Sequence, residues 1–425
     1  AGAGAGAGGA AEGASAGTDW LRFALEKNNV EHLDAMRRLS RRLGVDVSRL
    51  NVAGRKDKRA LTCQWCTIRD LTPEQVLAAN GHVSGVRVGL VSPAPASALG
   101  FGELQGNRFG LVIRAPGVTP TDLAAAGPAR PSTADGRVPR YTAATVPEAV
   151  VAAACLALEA RGFVNYYGWQ RVGHHGRPGA SRQLAIGHAL LRRAWREAVD
   201  GILSAPGDDA GVGDELRRAR EAWSATRDPK ECLKLFPSNA ALERLLLERL
   251  VRYGEADGGQ RALESLPHST RNLHVQCFQS AMWNRMASAR VKLYGVDGAV
   301  EGDLVRLEDA ATAKDVAVVT AADVAASRFS IEDVVLPLPG GRVQYPEHEV
   351  GALYRAEFTR LGVSFDGDGV FGGQKGAYRP VITRPAGLGW SVIEGSASAA
   401  RSLLVEFTLP SGSFATMCVR ELMKT

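Results

Sequence analysis

Val30, Leu33, Met36, Leu39 and Leu43 recur at three- and four-residue intervals, with Arg37, Arg38, Arg41 and Arg42 between them and Gly44 after them. The spacing predicts an amphipathic helix with a basic outer face and a glycine stop. Leu61, Cys63 and Trp65 alternate with Thr62, Gln64 and Cys66, the period of a strand. Leu50 to Ala53 and Leu111 to Arg114 read as further short strands, and residues 54–59 as a charged loop. Pro147 heads the apolar run EAVVAAACLALEA and reads as a helix start with a buried face. Phe163 to Tyr167 is aromatic and extended, ending at Gly168. Helical periodicity then dominates, over Leu184 to Leu203, Asp214 to Thr226, Ala240 to Tyr253 and Leu273 to Leu293. Strand-like pieces follow at Val316 to Thr320 and Val334 to Leu338, and an alternating strand at Leu403 to Leu409 precedes a turn at Pro410, Ser411 and Gly412.

This succession reads as an α+β chain with two bodies, the second inserted into the first. The expected boundaries are a flexible Gly/Ala tail at 1–18, a first part at 19–176, the insertion at 177–373, a Gly-rich linker near its end, and a second part at 374–425. A chain that opens without methionine and stops in mid-pattern at Thr425 reads as a fragment or a processed form.

Length and composition narrow the classes. At 425 residues, 45% of them hydrophobic, the chain can bury a sizeable core in two or three domains. The longest apolar run, Ala149 to Leu158, is about half of what a membrane-spanning helix needs. Six cysteines exclude a disulfide framework and fit a reducing compartment; cytosol, nucleus and organelle are all compatible. With 51 Lys and Arg against 45 Asp and Glu, the net charge is +6, which permits a nucleic-acid or phosphate partner without requiring one.

The densest chemical feature is Gly54-Arg55-Lys56-Asp57-Lys58-Arg59. Between Arg37 and Arg59 there are nine Lys or Arg and two Asp. The cations would attract a phosphate backbone, and a lone carboxylate among them is either a charge balance in a solvated loop or a reactive group. Asn165-Tyr166-Tyr167-Gly168-Trp169-Gln170-Arg171 sets aromatic faces beside amide and guanidinium donors. Such a set can stack on a base and bond its edge; the plainer alternative is a buried aromatic strand end. Cys63 and Cys66 have metal-ligand spacing, but no second pair accompanies them and an alternating strand would point them to opposite faces. His174-His175 reads as a loop, and Gly372 to Gly376 lacks the spacing of a phosphate loop.

Six segments together resemble one family. They are NVAGRKDKRALTCQ (51–64), LGFGELQGNRFGLVIR (99–114), GFVNYYGWQRVG (162–173), QCFQSAMWN (276–284), VVLPLPGGRVQYP (334–346) and LPSGSFATMCVREL (409–422). Their order and content are similar to those of the TruD family of pseudouridine synthases, on its eukaryotic side. The resemblance implies a mixed-sheet α+β catalytic domain carrying a large inserted α+β domain, and isomerisation of uridine to pseudouridine in RNA, with transfer RNA the leading substrate. It implies neither a metal nor another cofactor. It makes Asp57 the catalytic carboxylate, Asn165 the base-contacting amide and Tyr167 the stacking aromatic. By their charge, Arg55, Lys56, Lys58, Arg59, Arg108 and Arg171 are the cations expected to hold the RNA phosphates. The family usually opens with a segment bearing a Lys and a Phe near the active site. Here the Gly/Ala tail stands in its place, which leaves Asp57 without an assigned basic partner. Competing readings are a catalytically silent RNA-binding protein on this fold and a thiol or zinc module built on Cys63 and Cys66.

Overall fold

The computed structural model describes residues 20–94, 97–100, 102–114, 147–172, 178–204, 213–307, 315–365, 374–393 and 402–423. It divides into two compact units, Ala1–Asn107 and Arg108–Thr425. The Gly/Ala tail, His174-His175 and most of the Gly-rich stretch before Gln374 lie outside the described residues.

In the first unit, β1 (Trp20–Asn28), β2 (Asn51–Val52), β3 (Leu61–Arg69) and β4 (Val86–Pro93) form one sheet in the order β2-β3-β1-β4. The antiparallel register pairs Phe23 with Cys66, Leu25 with Gln64 and Lys27 with Thr62. Paired residues share a face, so Phe23, Leu25, Cys66 and Ile68 point together into a core with Ala35, Met36 and Leu39 of the helix His32–Leu43. Full burial of each large apolar side chain contributes about 1.5–3 kcal/mol. The helix begins where the Glu31 carboxylate accepts from Asp34 N and stops at Gly44, whose φ of 69° is a left-handed cap. The expected strand from Leu50 is shorter, since a 3₁₀ turn at Val47–Arg49, capped by Asp46, takes up the residues before it.

The second unit contains β5 (Gly106–Arg114), β6 (Phe163–Val164), β7 (Leu304–Arg306), β8 (Val316–Val318), β9 (Val334–Leu338), β10 (Ala377–Pro380), β11 (Ile382–Thr383), β12 (Ala386–Ile393) and β13 (Ser402–Pro410). The unit boundary falls inside β5. Three sheets result, ordered β12-β13-β5, β10-β9-β7-β8 and β11-β6. The helices Glu148–Arg161 and Ala415–Met423 cover the first of these over Cys155, Leu158, Val405, Phe407 and Met417. A larger core joins Pro178–Leu191, Trp195–Leu203 and the 27-residue helix His268–Tyr294 to β9.

The helix expected over Leu184 to Leu203 is two helices. Arg193 takes φ of 60°, Arg193 N bonds to Leu190 O and Ala194 N to Ala189 O, a Schellman closure that ends the first helix without a glycine. The strand at Val316 stops at Val318 because Thr320 caps the helix Ala321–Ala325 in a capping box with Asp323. Of the aromatic stretch from Phe163, only Phe163 and Val164 pair as a strand; the chain then leaves the sheet at Asn165.

Candidate functional site

The loop after β2 is held from two sides. Lys27, 2% exposed at an inward position of β1, donates its Nζ to the Asp57 main-chain carbonyl. Burial lowers the Lys27 pKa from its ordinary value, against the pull of the neighbouring Asp57 and Glu31 charges. Lys56 donates to Asn107 Oδ1, and its pKa too is lowered by burial, with Asp57 opposing. The segment LGFGELQGN packs onto the same loop: Gly102 N bonds to Ala53 O at 2.7 Å and Leu99 N to Thr67 Oγ1 at 3.0 Å. Asp57 itself is exposed, as are Arg55, Lys58 and Arg59. Lys27 and Lys56 are thus the cations beside Asp57. A lysine at an inward position of an apolar alternating strand was the available signal for Lys27, because a buried ammonium needs a partner.

In the second unit, Asn165 is 3% exposed. Its Oδ1 accepts from Arg379 Nη2 at 2.7 Å, its main-chain oxygen from Arg379 Nε at 2.7 Å, and its Nδ2 donates to Pro380 O at 3.3 Å. The Arg379 guanidinium lies 4.0 Å from the centroid of the Tyr167 ring, and the Trp283 and Phe414 rings meet that ring edge-on at 5.8 Å. Burial raises the Tyr167 phenol above its usual pKa, against Arg379 and Arg171. Asn284 grips the Tyr167 main chain twice, accepting from its N at 2.8 Å and donating to its O at 2.9 Å. Arg171 Nη2 donates to Gln276 Oε1 at 2.7 Å. Trp283 Nε1 donates to Leu336 O at 3.1 Å and Gln279 Nε2 to Pro339 O at 2.6 Å. A Cβ on Gly168 would stand 2.9 Å from Phe414 Cδ1, so only glycine lets the ring approach there.

Four of the singled-out segments therefore converge on Tyr167: its own, QCFQSAMWN, the β9 segment and the residues following β13. Tyr167 lines a groove of about 990 Å³ together with Trp169, His188, Phe278, Met282 and Arg285. Periodicity did not mark Arg379, although a cation at the buried position of a short strand is as conspicuous as Lys27. Arg108, expected to face RNA, pairs with Glu406 at 3.3 Å and is 76% exposed. Asp57 and the loop cations belong to the first unit; Asn165, Tyr167, Arg108 and Arg171 belong to the second. Cys63 is exposed and Cys66 buried, as alternation requires. Desolvation pushes the Cys66 thiol far up, which opposes the thiolate that metal binding or nucleophilic attack needs.

The fold and this cluster define an α+β protein whose signature segments meet around one stacked aromatic ring. The family model described as tRNA pseudouridine synthase D (TruD) matches residues 7–422, and the chain belongs to that family. The chain is 33% identical to pseudouridylate synthase PUS7L of Danio rerio over 423 residues, 96% of this chain and 61% of the relative. It is 31% identical to tRNA pseudouridine synthase D of Geotalea daltonii over 404 residues, 94% of this chain and 89% of the relative. Among solved structures it resembles a putative tRNA pseudouridine synthase D from Methanosarcina mazei, with a TM-score of 0.67, 25% identity, and coverage of 96% of this chain and 88% of the other. The chain spans about three fifths of the length of the eukaryotic relatives it matches.

Proposed function

We propose that this chain is an RNA pseudouridine synthase that isomerises uridine within transfer RNA. Asp57 is the catalytic carboxylate, Tyr167 the stacking face and Asn165 the edge donor. The observation that carries the reading is the convergence of the family segments on Tyr167, an aromatic held rigidly at main chain and ring. A base-stacking platform needs such rigidity. Asn165 Nδ2 has a second hydrogen beyond the one directed at Pro380 O.

The target uridine leaves its stack and enters the protein, at a cost of a few kcal/mol offset by contacts to phosphates. Arg55, Lys56, Lys58, Arg59, Arg108 and Arg171 provide these contacts. The N1–C1′ bond breaks with its electron pair remaining on uracil, while the ionised Asp57 carboxylate attacks C1′ or removes the C2′ proton. Uracil turns against Tyr167 and C5 supplies the pair for the new bond to C1′, which displaces the Asp57 carboxylate on the first route or is accompanied by return of the proton from Asp57 to C2′ on the second; the C5 proton then leaves, and N1 takes up a proton. We also read residues 177–373 as an insertion in a catalytic body formed by 19–176 and 374–425. This is supported by β6 pairing with β11 and β5 lying beside β13, each joining chain from before and after that segment.

The test is tritium release from transfer RNA carrying uridine labelled at C5. The wild-type chain is expected to release tritium. Asp57→Asn should lower the rate by about 10³-fold or more with RNA affinity within a few-fold. Absence of release by wild type would refute the synthase reading, and substantial turnover by the variant would refute Asp57.

A further inference from the structure

Arg379 is 7% exposed and offers its guanidinium to neutral acceptors only: Asn165 O and Oδ1 at 2.7 Å each, Gly412 O at 2.8 Å, Tyr166 O at 3.5 Å and the Tyr167 side chain. Among the described residues no carboxylate pairs with it. A buried charge without a counter-ion is costly, and tethering two loops requires hydrogen bonds rather than charge. The rest of the cation's surroundings is aromatic: it lies 4.0 Å from the Tyr167 centroid, 5.3 Å from that of Trp283 and 5.8 Å from that of Phe414. A second cation, Arg171, is close enough to act on Tyr167, and its Nε is buried without a partner among the described residues.

We propose that Arg379 is a positioning residue that acts on the reaction through Tyr167, stabilising the negative charge that uracil carries while detached from the ribose. The inference rests on the synthase reading above. In that reaction the N1–C1′ pair departs with the base, so uracil is an anion until C5 forms the new bond and N1 is protonated. A ring with a cation behind it has its electron density drawn toward that cation, and an anionic base then stacks more favourably on its groove side. Both the intact nucleotide and the product are neutral at the base, so the effect is confined to the detached state and raises kcat rather than affinity. A base stacked about 3.5 Å beyond the ring would lie about 7–8 Å from the guanidinium. At a partly screened interior site that separation corresponds to roughly 30-fold in rate.

The experiment compares Arg379→Gln and Arg379→Lys with wild type by tritium release at saturating RNA, by RNA affinity and by thermal melting. Arg379→Gln is expected to lose about 30-fold in kcat while RNA Kd stays within threefold. Arg379→Lys, which keeps the charge but cannot reproduce the fork to Asn165 and Gly412, should stay within tenfold of wild type. A merely structural role predicts comparable losses in the two variants, because neither side chain reproduces the fork. The proposal is overturned if Arg379→Gln keeps kcat within threefold of wild type, or if Arg379→Lys falls more than tenfold below it. If Arg379→Gln does not fold, the lysine variant decides alone by the same tenfold limit. Wild-type protein that releases no tritium refutes the synthase reading and this inference with it; active wild type with an unaffected glutamine variant refutes only the inference.

Discussion

At the scale of single residues, Tyr167 is specified by its ring more than by its hydroxyl. Arg379 stacks on the ring, Trp283 and Phe414 pack against its edges, and Asn284 holds the main chain. Base–aromatic stacking contributes about 1–3 kcal/mol, close to a factor of ten per 1.4 kcal/mol. Tyr167→Ala should therefore slow tritium release by roughly 10- to 100-fold, and Tyr167→Phe by no more than a few-fold. Equal losses in the two variants would transfer the role to the hydroxyl. Asn165 and Tyr167 stood out as candidates in the sequence because amide and aromatics stand side by side there. Arg379 did not, since Nη2 reaches Asn165 across 214 residues of chain.

At the scale of elements, the join between the helix His268–Tyr294 and the sheet of β7 to β10 is held by a buried ionic lock. Asp303, 0% exposed, accepts from Arg290 Nη2 at 2.7 Å, His348 Nε2 at 2.9 Å and Val300 N at 2.9 Å. Burial alone would raise its carboxyl; the hydrogen bonds from His348 and Arg290 and the Arg290 charge hold it below the ordinary range instead. A depressed carboxylate contributes stability that is present above the unfolded-state pKa, near 4, and is lost as pH falls through the folded value. Asp303→Asn strands a buried guanidinium and should cost about 3–5 kcal/mol at pH 7. Urea titrations should find that deficit shrinking below about pH 4. A deficit independent of pH would mean that shape, not charge, is what the site requires. The sequence marked the helix and β9 within a few residues but missed the lock. An Asp, an Arg and a His on separate elements leave no periodic trace.

At the scale of the whole molecule, the excess of six positive charges is small, so its distribution matters more than its sum. Arg55, Lys58 and Arg59 are exposed on the loop that carries Asp57. If they neutralise phosphates, each contributes about 0.7–0.9 to the slope of log affinity against log salt. Replacing all three by alanine should lower that slope by about 2 and weaken RNA binding across sequences without altering which uridine is chosen. An unchanged slope in filter-binding titrations would remove this loop from phosphate contact. Among the described residues, no helix is long and apolar enough to cross a membrane, in keeping with the short apolar run from Ala149 to Leu158.

The sequence by itself determined the α+β class, most helices and strands, the family, and the neighbourhoods of Asp57 and Tyr167. These depend on residue types at fixed short spacings, and a period of two or of about 3.6 is written directly in the chain. Only the tertiary structure decided that Lys27 holds the loop of Asp57, that Asn284 clamps Tyr167, and that a charge without a counter-ion lies behind the Tyr167 ring. Hydrophobic patterning reports which side of an element is buried. It carries no information on which distant side chain fills the space opposite, since that is set by packing among elements far apart in sequence.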